Sequence, residues 1–370
     1  MRARELGIRI GELASGQEDA ITDVEGVRVG HSTIVRGEGP LVVGEGPVRT
    51  GVTVVCPREG LARDEPVFAG AHRFNGNGEM TGLEWIREAG TLSSPVGITN
   101  THSVGVVRDA LVKAEVEART GEEDYWSLPV AAETYDGTMN DINGQHVTAE
   151  HVLEALASAS TGPVEEGSVG GGTGMICHEF KGGIGTASRR VSEIEGGWTV
   201  GALVQANYGQ RRMLRVDGVP VGRILGMDRI PSPYESEETP PAGTGSIIVV
   251  LATDAPLLPI QCDRLAKRAT IGLGRMGGGL DDGSGDIFLA FATGNTGLPP
   301  DGLPEPPATV SLKMVTNDYT TPLFYAAAEA TEAAILNALL AAGDMTGRDG
   351  NTAHGLTPEL LLGALEEARR

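Results

Sequence analysis

The stretch PAGTGSIIVVLATDAPL, residues 241–257, changes character within one position. Ahead of the change lies MDRIPSPYESEETPPAGTG (227–245), whose four prolines and four acidic residues fit no regular element and read as an exposed linker. Behind it, Ile247–Leu251 is apolar at every position, the pattern of a strand buried on both faces. Gly245 and Ser246 stand at the junction. One reading is a simple turn, since Gly-Ser ahead of a strand is common. The other is chemical. A serine hydroxyl attacking the carbonyl just before it needs a small, strain-tolerant residue there, and Gly245 is one. The strand freed by that cut would begin with a serine bearing its own α-amine. Such an amine has an ordinary pKa of ~7.7–8.0 and can serve as base on its own Oγ.

Outward from this junction, the chain alternates short β-branched runs with helical patterns. Strands are expected at 27–35, 51–57, 95–100, 197–207, 246–254, 286–294 and 308–316. Helices are expected in GEMTGLEWIREAG, SVGVVRDALVKAEVEART, TAEHVLEALASAS behind Thr148, and PIQCDRLAKRATIG opening on Pro259. Two more are expected in PLFYAAAEATEAAILNALLAA and in TPELLLGALEEARR behind Thr357. Apolar strands mixed with helices imply layered α/β architecture, with helices covering the sheets. Glycine accounts for 54 of 370 residues, roughly twice its usual ~7% share, without a period. That favours tight turns and close backbone approaches over collagen-like or low-complexity structure.

The formal charge of −21 argues against a nucleic-acid partner, because no basic cluster is available to neutralise phosphates. Cys56, Cys177 and Cys262 are odd in number and far apart, which suits a reducing compartment without a disulfide framework or zinc site. No apolar segment of signal-peptide length opens the chain and no run approaches a ~20-residue membrane span, so a cytoplasmic protein is expected.

Several longer stretches, in order, resemble one family over nearly the whole chain: NGNGEMTG (75–82), TNTHSVGVVRDA (99–110), ETYDGTMNDINGQHV (133–147), GGGTGM (170–175), QANYG (205–209), GTGSIIVVLATDAPL (243–257) and GSGDIFLAFATGN (283–295). The chain is similar to the L-aminopeptidase/D-Ala-esterase-amidase family, which includes the β-peptidyl aminopeptidases. The resemblance implies a four-layer αββα sandwich of the N-terminal-nucleophile hydrolase kind. It also implies one catalytic domain over 1–370, a precursor cut into 1–245 and 246–370, and a homotetramer of cleaved protomers. The activity it implies is release of N-terminal residues from short peptides, amides or esters, without a cofactor.

The other candidate residues have competing readings. Asn207, at a strand end, supplies an amide donor suited to a developing oxyanion; on pattern alone it is a turn asparagine, and the family pattern assigns it the oxyanion role. Ser284 and Asp286 flank Gly285 and share a strand face, so that the carboxylate is placed to orient a hydroxyl toward Ser246; an Asx-type turn entering a strand is equally consistent. The resemblance places a glutamate at the position of Asp286 in relatives that cleave β-peptides, so the reach of the shorter side chain, and β-peptide cleavage with it, stays open. Glu133 and Tyr135 share a face by the same alternation. Glu133 is a candidate for a substrate ammonium, and Tyr135 for donating near the oxyanion or closing the pocket, against a solvated strand end as the plain reading.

Other motifs carry less. GLGRMG (272–277) spells a dinucleotide fingerprint but follows a predicted helix instead of a strand. GSVGGGTGM (167–175) has the glycines of a phosphate nest without a P-loop's Lys and Ser/Thr. His146 and His151 are five apart, wrong for two metal ligands on one helix face, and no metal is implied. Two other functions compete with the hydrolase. One is an acyltransferase of the ornithine acetyltransferase type, which is expected to use threonine as nucleophile. The other is an uncleaved, non-enzymatic scaffold that binds small molecules.

Overall fold

The apolar run behind Ser246 becomes a strand covered on both faces. Ile247, Val249 and Leu251 enter one hydrophobic core, while Ile248, Val250 and Ala252 enter another, because alternate residues leave opposite faces of a strand. The computed structural model describes residues 1–119, 125–234, 245–300 and 305–370.

In chain order the strands are β1 (Arg28–Arg36), β2 (Val48–Cys56), β3 (Val67–Arg73), β4 (Thr91–Leu92), β5 (Val96–Asn100), β6 (Val130–Thr134), β7 (Ile176–Cys177), β8 (Phe180–Lys181), β9 (Gly183–Arg190), β10 (Thr199–Asn207), β11 (Ser246–Thr253), β12 (Gly285–Ala292), β13 (Met345–Thr346) and β14 (Thr352–Ala353). The helices are α1 (Leu83–Ala89), α2 (Val104–Ala118), α3 (Ala149–Ser158), α4 (Val221–Ile224), α5 (Pro259–Ala266), α6 (Ala269–Arg275), α7 (Thr320–Ala341) and α8 (Pro358–Glu367). One sheet runs β1-β2-β5-β6 and a larger one β4-β3-β12-β11-β10-β9. Pairing is antiparallel except for β5–β6 and β11–β12. Two short hairpins, β7–β8 and β13–β14, stand apart.

Three cores separate four layers. Val55, Val96, Ile98 and Ala132 of the smaller sheet meet Ala69, Leu203, Ile248 and Leu289 of the larger one. The outer face of the larger sheet packs on α5, α6 and α7, and that of the smaller on α2 and α3. This is the expected αββα sandwich. By length and composition α7 would pass for a membrane span, yet it is buried as a core helix.

Two strands carry little strand signal. β3 (VFAGAHR) and β9 (GIGTASRR) are small or polar where an apolar strand is expected. In β9 the small residues serve close packing: a Cβ on Gly185 would lie 2.0 Å from the Ala334 carbonyl oxygen of alanine-rich α7.

Some expectations are corrected. The segment 308–316 is not a strand. Its alternating Val310, Leu312 and Met314 are exposed, since no neighbouring strand pairs with it among the described residues. The helix expected from Pro259 is two helices, broken at Lys267–Arg268. Of the linker 227–245, residues 235–244 lie outside the described residues, but the part before them is docked, not exposed throughout: Ile230 is buried and its carbonyl accepts from Arg211. Thr357 caps α8 as expected, accepting from Leu360 N. At Thr148 the helix is closed instead by His151 Nδ1, which accepts from the Thr148 N–H.

Candidate active site

Strand register alone assembles the centre. Ser246, first residue of β11, pairs with Asn207 at the end of β10 and with Gly285 at the start of β12. Ser246 Oγ donates to the Gly245 carbonyl at 2.7 Å. The Gly285 N–H points at both groups, 3.2 Å from Ser246 Oγ and 3.3 Å from the Gly245 oxygen. A hydroxyl and a backbone donor thus converge on one carbonyl oxygen, which sets the serine beside the peptide bond ahead of it. The serine is buried, so both contacts act out of bulk water.

Asn207 is held from two sides. Its Oδ1 accepts from Ile176 N at 2.8 Å and its Nδ2 donates to the Tyr135 carbonyl at 2.9 Å. These bonds fix the flip of the carboxamide. They leave the second Nδ2 proton without a partner among the described residues.

Ser284 and Asp286 meet as their spacing suggests: Ser284 Oγ donates to Asp286 Oδ1 at 2.7 Å. Asn75 Nδ2 donates to the other carboxylate oxygen, also at 2.7 Å. The aspartate therefore reaches Ser284 and Asn75. Burial pushes the Asp286 carboxyl above its ordinary value, against hydrogen bonds from Ser284, Asn75 and the Ile247 backbone that pull it down. Among the described residues, neither Ser284 nor Asp286 hydrogen-bonds Ser246 Oγ through its side chain. The link expected there runs through the backbone of Gly285 between them.

Glu133, buried on β6, accepts from the Glu79 N–H at 2.9 Å and from Thr101 Oγ1. Desolvation raises its pKa, with those two hydrogen bonds opposing. Gly78 brings it toward the nucleophile. A Cβ there would lie 3.0 Å from Gly285 Cα and 3.3 Å from Glu133 Oε1, so the glycine eases the close approach of the smaller sheet's carboxylate to the larger sheet's strand ends. Tyr135 lies just past the end of β6. Its ring is partly exposed and its hydroxyl lies over Gly137, so the group that reaches Asn207 is the carbonyl.

Sequence reasoning missed Gly285, Asn75 and Thr101. A backbone N–H leaves no side-chain signal, although all three residues lay inside quoted motifs. The remaining motifs have structural uses. Gly272 of GLGRMG sits in α6, where a Cβ would meet the Ala328 carbonyl of α7 at 2.6 Å. In the glycine-rich segment, the Gly170 and Gly171 N–H groups donate to Thr33 and Thr53 hydroxyls. His146 pairs with Asp141 and His151 closes α3.

Comparison with known proteins gives the family. Residues 19–353 match the family described as peptidase family S58. The chain is 49% identical to β-peptidyl aminopeptidase BapA of Sphingosinicella microcystinivorans, over all of this chain and 93% of that protein. A β-aminopeptidase from Burkholderia sp. superposes with a TM-score of 0.92 at 59% identity, over 100% of this chain and 99% of that one. The L-aminopeptidase D-Ala-esterase/amidase of Ochrobactrum anthropi, a prototype serine aminopeptidase with a variant of the N-terminal-nucleophile hydrolase fold, superposes at 0.89 with 44% identity, over 100% and 99%. These matches favour a hydrolase over the acyltransferase and the non-enzymatic scaffold. The chain belongs to peptidase family S58 and is a serine aminopeptidase of the N-terminal-nucleophile type.

Proposed function

We propose that the chain is made as a precursor, cuts itself between Gly245 and Ser246, and then releases N-terminal residues from short peptides, amides or esters. The observation that carries this reading is the Gly245 carbonyl, which receives both the Ser246 hydroxyl and the Gly285 N–H. Ser246 Oγ adds to that carbonyl carbon and its proton passes to the departing Ser246 nitrogen, giving an ester. Water then splits the ester, leaving the Gly245 carboxylate and a Ser246 with a free α-amine and hydroxyl.

In turnover the α-amine takes the Oγ proton while Oγ adds to the substrate carbonyl. The proton then leaves on the departing amine, and water frees the acyl group. Asn207 Nδ2 offers its unpartnered proton to the oxyanion. Ser284 and Asp286, one peptide from the Ser246 nitrogen through Ile247, orient the amine. Glu133 receives the substrate ammonium and Tyr135 walls the site. Relatives carry β-aminopeptidase names, so β-alanine amides belong beside α-alanine amides as first substrates. The exposed face of Val310, Leu312 and Met314 supports an oligomer, proposed as a homotetramer. Three buried free cysteines are compatible with the cytoplasm.

The test uses p-nitroanilides of alanine and β-alanine, each free and N-acetylated. Release from the free amines alone is expected. Equal rates on the acetylated compounds would overturn the role of Glu133.

A further inference from the structure

Lys181, on β8, is fully buried, and no carboxylate pairs with it among the described residues. Its Nζ donates to the carbonyls of Met175 and Gly182 at 2.8 Å and of Gly172 at 3.3 Å. Three acceptors match the three protons of an ammonium. Burying a cation without a counter-ion is expensive and pulls the Lys181 pKa down from its ordinary 10.5 to about 7. An apolar side chain of similar length would avoid that cost while leaving the Gly182 carbonyl without this donor. The lysine therefore calls for a role beyond packing.

The Met175 carbonyl and the Ile176 N–H are two ends of one peptide group. Lys181 grips the carbonyl end, and the N–H end donates to Asn207 Oδ1 at 2.8 Å. The chain runs from ammonium to peptide to carboxamide, ending at Nδ2 beside Ser246's strand partner position. Hydrogen bonds linked in this way polarise one another, the more so in a buried, low-dielectric setting. A cation on the peptide oxygen strengthens its N–H as a donor. That in turn withdraws electron density from the carboxamide oxygen and makes Nδ2 a better donor.

We infer that Lys181 is a positioning residue for the oxyanion donor, orienting and polarising the Asn207 carboxamide through the single peptide group Met175–Ile176. This rests on the proposed role of Asn207. Outer partners of a reacting group are held to the same geometric demand as the group itself.

The experiment is a double-mutant cycle of Lys181→Met and Asn207→Ala, read as self-cleavage rate and as kcat and KM on alanine p-nitroanilide. Lys181→Met should lower kcat and self-cleavage by roughly tenfold, short of the ~10²–10³ for loss of the donor itself, with KM unmoved. Added to Asn207→Ala it should cost nothing further, because its effect passes through that side chain. Full kcat in Lys181→Met, or the same loss with and without Asn207, would overturn the inference. An Asn207→Ala protein with normal kcat would instead overturn the oxyanion assignment, and the link with it. If Lys181→Met does not fold by thermal melting, Lys181→Gln carries the same comparison. Failure of both to fold would make the lysine a folding residue and contradict the proposal.

Discussion

The two ends of β11 share one apolar strand and differ in what their polar groups do. At the far end, Thr253 Oγ1 donates to the Thr199 carbonyl at 2.7 Å and accepts from Ala255 N at 3.1 Å. Asp254 accepts from Thr199 N at 2.7 Å, and Thr293 N donates to the Thr253 carbonyl at 2.8 Å. Each group closes a turn or a strand pair. At the near end, Asn207 keeps an unpartnered proton, and Ser246 Oγ lies against a carbonyl that a second donor also faces. Buried polar groups occupied by fixed neighbours hold a fold together; those oriented but incompletely paired are equipped for chemistry.

Mutation separates the ends. Ser246→Ala should abolish turnover and leave a single uncut chain, with its melting temperature close to that of the parent; turnover assays and thermal melts check both. Asp286→Asn should lower kcat by ~10²–10⁴ with KM little changed, as expected for an orienting group near a proton transfer, while cutting at Gly245 persists. Its pH profile adds a sharper reading. The α-amine must be neutral to act as base, so kcat/KM should climb as pH passes through ~7.7–8.0. A nearby carboxylate anion favours the ammonium and moves that limb upward, so Asp286→Asn should move it down. A limb that stays in place would detach the carboxylate from the amine.

Asn207→Ala should lower kcat by ~10²–10³ and slow self-cleavage together. Normal cutting with impaired turnover would mean that the two oxyanions occupy different places. Glu133→Gln should raise KM roughly tenfold or more, from loss of a charged hydrogen bond, while kcat changes less. At the far end, Thr253→Val should leave kcat unchanged and reduce stability by about 1–3 kcal/mol, because Ala255 N loses its acceptor. A fall in kcat there would break the division between the ends.

Much of this site was legible in sequence because its chemistry coincides with abrupt pattern changes. Ser246 follows a linker and opens an apolar run. Asn207 ends another such run, and Ser284 and Asp286 sit two apart at a third. Their meeting was less legible, since it depends on the register of three strands. Side-chain patterns also conceal backbone donors, so the Gly285 N–H and the peptide between Lys181 and Asn207 left no trace. β9 escaped notice because close packing on α7 demands small residues in place of β-branched ones. The segment 308–316 misled for the opposite reason. Alternation records a face to be covered, and among the described residues nothing covers Val310, Leu312 and Met314.

The account turns on whether the Gly245–Ser246 bond is cut by the serine that later does the hydrolysis. Intact mass of the denatured, fully active protein tests this directly, with Ser246→Ala alongside. The prediction is two chains, 1–245 and 246–370, from the active protein and one uncut chain from the variant. A single uncut chain in protein that turns over substrate at its full rate would contradict it.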